Sequence, residues 1–347
     1  MIPIYSHYHK FTTKNLVGKY CLAPFIQVAI DIHGDVRLCG CESWLPTVIG
    51  NIFRSNIVEI LSGTPARTIR QSIIDGSFEY CNENTCGIIR HGHLNEIDTL
   101  PPKVRWQVED SSRYVIPYEI VLAGDKTCNL SCPSCRTEVF KSNDRFKAQQ
   151  EQLGEKLKEN LFSQPTDESI SLTVSTTGEI FASPMLLKFI SSIPVANFPN
   201  LELTIQTNGL LAPQFWHKLG DMQNKIRKTT VTVDAARPET YELLRRGGTW
   251  EDLVFALEWL KNKKQENGMK YNTRMIVQRE NIEQLDEFYH FSKQFDVDVV
   301  EYGRIGDWGT YKNFNEVDVL NPKHPDYHKF KSLHDQVMQY PDTMSWG

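Results

Sequence analysis

From residue 116 onward, short apolar runs of β-type residues alternate with longer stretches whose apolar residues recur at helical spacing. That alternation narrows the possible folds more than any other feature of the chain. Six β-type runs are legible, at 117–123, 169–175, 201–206, 229–233, 273–277 and 298–302. Helical patterns lie between them near 145–160, 184–193, 213–221, 249–262 and 282–295. A repeated βα order needs crossover connections, and so a parallel sheet covered by helices. Before residue 116 the texture changes. Strand-like pieces at 25–30 and 36–39 are joined by the turn His33-Gly34-Asp35, and a helical stretch at 58–74 follows. The expected division is an N-terminal segment (1–14), a small α+β module (15–108), an α/β domain (109–310) and a tail (311–347), with the double proline near 98–102 as a linker. The tail carries Pro322, Pro325 and Pro341. It is expected to be irregular around one short helix, and either to close the site from below or to cover the open strand edge of the domain.

Cysteine placement indicates the chemistry. Eight cysteines in 347 residues are too sparse for a disulfide scaffold, and no export signal is recognised near the start. Five lie between positions 21 and 86, and three fall within 128–135. The first strand of the α/β domain leads into Asp125-Lys126-Thr127-Cys128-Asn129-Leu130-Ser131-Cys132-Pro133-Ser134-Cys135, a C-x3-C-x2-C loop. Structural zinc normally asks for four ligands, and no histidine or further cysteine stands between Cys135 and His217 to complete such a set. An iron–sulfur cube usually takes four cysteines, so a loop with three leaves one iron open to a ligand from outside the protein. Zinc and simple packing remain the alternatives.

The strand exits can be read independently, because parallel α/β barrels place reactive groups at the carboxyl ends of strands. They carry Ser175-Thr176-Thr177-Gly178-Glu179, Gln206-Thr207-Asn208-Gly209, Asp234, Gln278 and Arg304. Strand-ending turns account for the glycines but not for a polar residue at every exit.

The three-cysteine loop, in this position, resembles the motif of the radical S-adenosylmethionine (SAM) superfamily, whose fold is a partial (β/α)6 TIM-type barrel. The resemblance implies that Cys128, Cys132 and Cys135 hold a 4Fe-4S cluster at the catalytic centre and that SAM chelates its open iron through amino and carboxylate groups. It further implies that one-electron reduction cleaves SAM to a 5'-deoxyadenosyl radical that abstracts hydrogen. Thr177-Gly178-Glu179 occupies the place of the family's Gly-Gly-Glu element, with Thr177 replacing the first glycine. Thr207 and Asn208 are expected beside the cofactor. The stretch from Val231 through Thr232 and Asp234 to Ala236, followed by Tyr241 through Arg245 and Arg246 to Gly248, looks like the family's ribose and carboxylate contacts, with Thr232 in the usual serine position. Arg245 is expected on the SAM carboxylate, since a guanidinium fork suits one; the alternative is an arginine exposed at a helix end.

Upstream, Cys21, twelve residues, Gly34, four residues and Cys39 form a hairpin pattern, and Cys81 and Cys86 follow after a helix. This resembles the Twitch module, the short relative of the SPASM domain, and implies one auxiliary 4Fe-4S cluster on Cys21, Cys39, Cys81 and Cys86. In most relatives the module follows the barrel; here it precedes it. Zinc remains an alternative for this four-ligand set. Cys41 is a fifth cysteine, either a spectator thiol or an alternative ligand, and His91 and His93 are read as exposed loop histidines. The module and barrel together suggest hydrogen abstraction from a peptide-type natural product, leading to oxidation, cross-linking or epimerisation. The alternative is dehydrogenation or epimerisation of a small metabolite such as an amino sugar. A different class, a non-catalytic iron–sulfur carrier or redox sensor, would not bind SAM.

The expected partners are a flavodoxin- or ferredoxin-type reductant and, for a peptide substrate, a separate recognition protein. A formal net charge of -5 without a long basic run gives no support for a nucleic-acid partner. No run approaches the length of a membrane span, and a cytoplasmic location is expected. The residues after the sixth run, Tyr302, Arg304, Asp307 and Trp308, are expected near the substrate.

Overall fold

A computed structural model describes residues 12–114, 116–174 and 177–346. Most of the N-terminal segment (1–11), together with Ser175 and Thr176 of the second strand exit, lies outside the described residues. The chain forms two compact units, one built from Met1–Gly124, Ala148–Thr173 and Pro194–Leu201, the other from Asp125–Lys147, Val174–Ile193 and Glu202–Gly347.

The first unit contains strands β1 (Gln27–Asp31), β2 (Asp35–Arg37), β3 (Gly50–Asn51), β4 (Glu119–Ala123) and β5 (Ile170–Val174), in the order β5-β4-β1-β2-β3. β1 runs parallel to β4, from Gln27 opposite Glu119 to Asp31 opposite Ala123. It pairs antiparallel with β2, which pairs antiparallel with β3. The N-terminal hairpin and the first strand of the α/β domain therefore share one sheet. The turn closing the hairpin is fixed by Asp31, whose Oδ1 accepts the His33 and Asp35 amides, and by Gly34 at φ 75°.

The expected helix at 58–74 is split into Ile57–Ser62 and Thr64–Ile74. The physical reason is Pro65, which has no amide to donate and whose ring would collide with the carbonyl one turn back. Asn56 and Glu59 form a capping box at the start of the first piece. Arg70, 1% exposed, then staples the region by donating to the Pro24 and Leu61 carbonyls. Burial lowers its pKa to about 10. The linker reading was too loose: a helix begins at Pro102 and runs to Glu109, and buried Gln107 anchors it on the Phe25 carbonyl.

In the second unit, β6 (Leu201–Thr207), β7 (Ile226–Thr232), β8 (Lys270–Val277), β9 (Val299–Arg304) and β10 (Thr343–Trp346) are all parallel and lie in chain order. The six expected strands are thus present as β4 to β9, and the fold is α/β with mostly parallel pairing. β10 comes from the tail and covers the β9 edge, one of the two roles expected of it. Helices Trp250–Asn267, Leu285–Lys293 and Tyr327–Val337 form the crossovers from β7 to β8, β8 to β9 and β9 to β10. Helix Pro238–Leu244 is too short to show a periodic pattern and was not anticipated. The stretch at 213–221 is one α-turn followed by 3-10 turns that break at Gly220, φ 57°. The core beneath the helices includes Leu203, Ile205, Val231, Met275, Val300 and Tyr302. Tyr302 corrects one expectation: its hydroxyl donates to the Leu285 carbonyl and its ring meets Phe288, so it packs under a helix. No helix among the described residues is long and apolar enough to cross a membrane.

Candidate functional site

The three-cysteine loop is tied down at both ends within the second unit. Asp125, 3% exposed, accepts the Thr127 amide and hydroxyl at 2.8 Å each on Oδ1, and the Ser183 hydroxyl on Oδ2. The Thr177 hydroxyl donates to the Asp125 carbonyl and the Glu179 amide to the Thr127 carbonyl, at 3.1 and 2.7 Å. Between them Gly178 lies so close that a Cβ there would stand 2.3 Å from the Thr127 carbonyl oxygen. The glycine of the Thr-Gly-Glu element thus permits backbone-to-backbone contact with the loop, and Thr177 fits because its hydroxyl finds an acceptor.

At the far end Arg136 donates to the Lys126 and Thr177 carbonyls. Arg246 donates to the Ser131 carbonyl and hydroxyl and to the Thr137 carbonyl, while its own carbonyl accepts the Ser131 amide. Arg136 was not singled out from sequence, its one signal being adjacency to Cys135; Arg246 lay in the stretch read as cofactor contacts, but its hold on Ser131 and Thr137 is set by folding. Cys132 is buried, Cys128 half-buried and Cys135 exposed. Burial pushes the Cys128 thiol up to about 11.

The other expected site residues gather here, several of them with structural duties. The buried Glu179 carboxylate accepts the Thr207 hydroxyl at 2.6 Å, the Asn208 amide at 2.7 Å and the Phe181 amide at 3.2 Å. It fastens its own loop to the end of β6, which leaves backbone atoms for any cofactor contact. Asn208 reaches Asn129 on the cysteine loop at 2.9 Å. Thr232, at the end of β7, carries no side-chain hydrogen bond among the described residues.

Asp234 sits in a left-handed conformation, φ 67°, with Oδ1 accepting the Ile276 amide and Oδ2 2.9 Å from Arg245 Nη2. Both of its oxygens are therefore engaged. Arg245 Nη1 is 3.6 Å from Cys132 Sγ. Burial works against the Arg245 charge, but Asp234 and Cys132 outweigh it and hold the guanidinium above the ordinary arginine pKa. Arg245 Nε and the neighbouring Tyr241 hydroxyl are buried without a partner among the described residues. Two orphaned donors beside a thiol are what a polar ligand would be expected to satisfy. Further along, Arg304 is ion-paired with buried Asp318, Gln278 accepts the Tyr311 hydroxyl, Asp307 caps the Gly309 amide and Trp308 is exposed.

In the first unit, Thr85 donates to the Ser43 carbonyl and the Asn82 amide to the Trp44 carbonyl, which draws the Cys81–Cys86 loop onto the turn after Cys39. The thiols of Cys21, Cys39, Cys81 and Cys86 consequently lie within electrostatic reach of one another, and Cys41 acts on Cys39 and Cys86 as well. Burial raises all four, Cys21 to about 11 and Cys39 to about 12. Cys41 is half-buried and lies 3.1 Å from the Ser43 hydroxyl. His91 and His93 are exposed. All eight cysteines are free.

A mostly parallel α/β domain with three cysteines on the loop after a strand, preceded by a hairpin module with four more, has the donor types of an iron–sulfur protein. Residues 126–292 match the family model of the radical SAM superfamily, and residues 21–87 match SPASM, an iron–sulfur cluster-binding domain. The chain thus carries a radical SAM domain with an iron–sulfur cluster-binding domain ahead of it. Such a protein takes a 4Fe-4S cluster and SAM at the first site and an auxiliary cluster at the second. The donor types suit such groups, with three cysteines and two orphaned donors in one unit and four cysteines, three of them buried, in the other, although among the described residues no three such side chains are arranged to hold a metal ion.

Among solved structures, anSMEcpe with bound AdoMet is similar at 22% identity and TM-score 0.45, covering 63% of this chain and 59% of its own. Streptococcus suis SuiB bound to the precursor peptide SuiA is similar at 13% identity and TM-score 0.45, covering 85% and 64%. The Kitasatospora setae methyltransferase TsrM is similar at 16% identity and TM-score 0.32, covering 50% and 34%. This chain thus spans less than two thirds of each of these proteins. No curated protein sequence matches it.

Proposed function

We propose that this chain is a radical SAM enzyme that abstracts a hydrogen atom from a peptide-type substrate, leading to oxidation, cross-linking or epimerisation. The observation that carries the reading is the arrangement around Cys132, where a three-thiol loop lies beside the buried, partnerless Arg245 Nε and Tyr241 hydroxyl. When bound, the cluster and SAM supply the radical chemistry. The chain's own residues do the rest: Cys128, Cys132 and Cys135 ligate, and Gly178 lets the Thr-Gly-Glu backbone approach the loop. Glu179, Thr207 and Asn208 fix the β6 end, while Thr232 and Tyr241 offer hydroxyls. In this proposal residues 15–108 form the auxiliary-cluster domain on Cys21, Cys39, Cys81 and Cys86, and residues 109–310 the partial barrel. Electrons come from a flavodoxin- or ferredoxin-type reductant, and a separate recognition protein presents the peptide.

Peptide substrates are favoured because relatives with such a module, as the sequence resemblance implies, include peptide oxidases, cross-linking enzymes and epimerases. Small amino sugars are the alternative. The test adds SAM to the reduced, reconstituted protein and follows its EPR spectrum, then measures 5'-deoxyadenosine with pooled peptides or pooled amino sugars. A spectrum that moves with SAM, and deoxyadenosine stimulated by peptides alone, supports the reading. Stimulation by amino sugars moves it to the small-metabolite class, and an unmoved spectrum assigns a carrier instead.

A further inference from the structure

Each thiol of the three-cysteine loop accepts an N–H; Cys128 takes two neutral donors, the Leu130 amide and, at 4.0 Å, Asn208 Nδ2, while Cys132 and Cys135 each take a cation. The Leu130 amide lies 3.4 Å from Cys128 Sγ, Arg245 Nη1 3.6 Å from Cys132 Sγ and Arg136 Nη2 3.6 Å from Cys135 Sγ. Neither arginine is a loose surface side chain. Arg136 is fixed by the Lys126 carbonyl at 2.7 Å and by the Thr177 carbonyl. Arg245, 12% exposed, is fixed by Asp234 Oδ2 at 2.9 Å. In both cases oxygen acceptors hold one part of the guanidinium, so the fold itself aims a remaining N–H at sulfur. A planar fork spreads its donors over three nitrogens in fixed directions, whereas lysine carries its three donors on one nitrogen and cannot span acceptors as far apart.

We infer that Arg136 and Arg245 are positioning residues that raise the reduction potential of the cluster held by Cys128, Cys132 and Cys135. The inference rests on the reading above that these thiols hold such a cluster. Reduction adds one negative charge to a site that already carries three thiolates. A fixed cation hydrogen-bonded to a ligating sulfur stabilises the reduced state more than the oxidised one, and at buried Cys132 the low local dielectric amplifies the difference. This also revises the expected role of Arg245. Its two terminal nitrogens reach Asp234 and Cys132, so part of its fork is already engaged, and the partnerless Nε is the donor that stands out for a SAM carboxylate.

The test is an EPR-monitored redox titration of the reconstituted full chain without SAM. One electron passes from dithionite to the cluster, and no bond in the protein forms or breaks. The signal is assigned by its loss in a Cys128→Ala/Cys132→Ala/Cys135→Ala variant. Arg136→Gln is expected to lower the equilibrium constant for reduction at least tenfold, a shift of about 59 mV to more negative potential for one electron. Arg245→Gln combined with Asp234→Asn, which leaves no buried carboxylate without its cation, shifts it in the same direction. Arg136→Lys falls between wild type and Gln, and the auxiliary signal does not move. An unchanged potential in both Gln variants with iron content retained overturns the inference. Loss of iron from Arg136→Gln and Arg136→Lys alike also overturns it, because the arginine then serves loop folding. If the triple cysteine change removes no iron from the wild-type complement, the reading beneath has failed, and the inference goes with it.

Discussion

Replacing Gly178 by alanine tests whether the Thr-Gly-Glu element and the cysteine loop are held backbone to backbone. The added Cβ would stand 2.3 Å from the Thr127 carbonyl oxygen and 2.8 Å from the Lys126 carbonyl carbon. Both atoms are main chain and cannot swing aside. Carbon–oxygen contacts relax at about 3.3 Å, so the loop must retreat by about 1 Å. That retreat strains or breaks the 2.7 Å hydrogen bond from the Glu179 amide to Thr127. Overpacking costs about 1–3 kcal/mol and the hydrogen bond about 1 kcal/mol, so the expected loss is about 2–4 kcal/mol. If the loop absorbs the strain locally, the same energy appears as cluster retention and SAM binding weakened about 30- to 1,000-fold. Urea unfolding of the apoprotein and iron content after reconstitution read the two outcomes. Gly87→Ala, whose Cβ meets nothing nearer than 3.9 Å, is the control and should stay within about 0.5 kcal/mol of wild type. A Gly178→Ala protein with both unfolding free energy and iron content unchanged would refute the argument.

Removing the Arg246 side chain takes away its bonds to Ser131 and Thr137. Arg246→Ala should cost about 2 kcal/mol and speed amide exchange across residues 131–137, with Arg246→Lys failing to restore protection. Cys41→Ser should leave the iron content of the first unit unchanged, whereas Cys39→Ser should lose about four irons, read by anaerobic iron and sulfide analysis. In the apoprotein, iodoacetamide should label exposed Cys135 first. Cys21 and Cys39, with thiols raised to about 11 and about 12, should react at least about 100-fold more slowly at pH 8 than an ordinary thiol. Because those folded pKa values exceed the ordinary value of 9.0, the native apoprotein holds its thiol protons longer than the unfolded chain. Its stability should therefore fall as pH rises from about 9 towards 12, which denaturant midpoints would follow.

The strands and the three-cysteine loop were legible because each rests on local pattern. Apolar runs bounded by turn residues marked β4 to β9, and the spacing of Cys128, Cys132 and Cys135 needed no tertiary information. Features set by long-range contact were not. Helix Pro238–Leu244 is two turns long, too short for periodicity, yet it delivers Tyr241 and leads directly into Arg245 and Arg246. Pro65 was visible, but a helical pattern running through it on both sides concealed the break at Gly63. Tyr302 ends a strand run, and strand alternation alone could not show that its side chain turns to the helix side. The clamps made by Asp125, Arg136 and Arg246 depend on carbonyls brought close by folding, with up to 115 residues between partners. Arg245 was singled out for the affinity of a guanidinium for anions, and the fold sets it between the Asp234 carboxylate and the Cys132 sulfur.

The central claim is that one chain carries a catalytic cluster on the three-cysteine loop and an auxiliary cluster on the hairpin module. Anaerobic iron and sulfide content with and without the Cys128→Ala/Cys132→Ala/Cys135→Ala change, followed by a 5'-deoxyadenosine assay with SAM and dithionite, tests it most directly. The account predicts about eight irons falling to about four, with deoxyadenosine formed only by the unmodified protein. About four irons in both proteins, or deoxyadenosine formed by the triple variant, would contradict it.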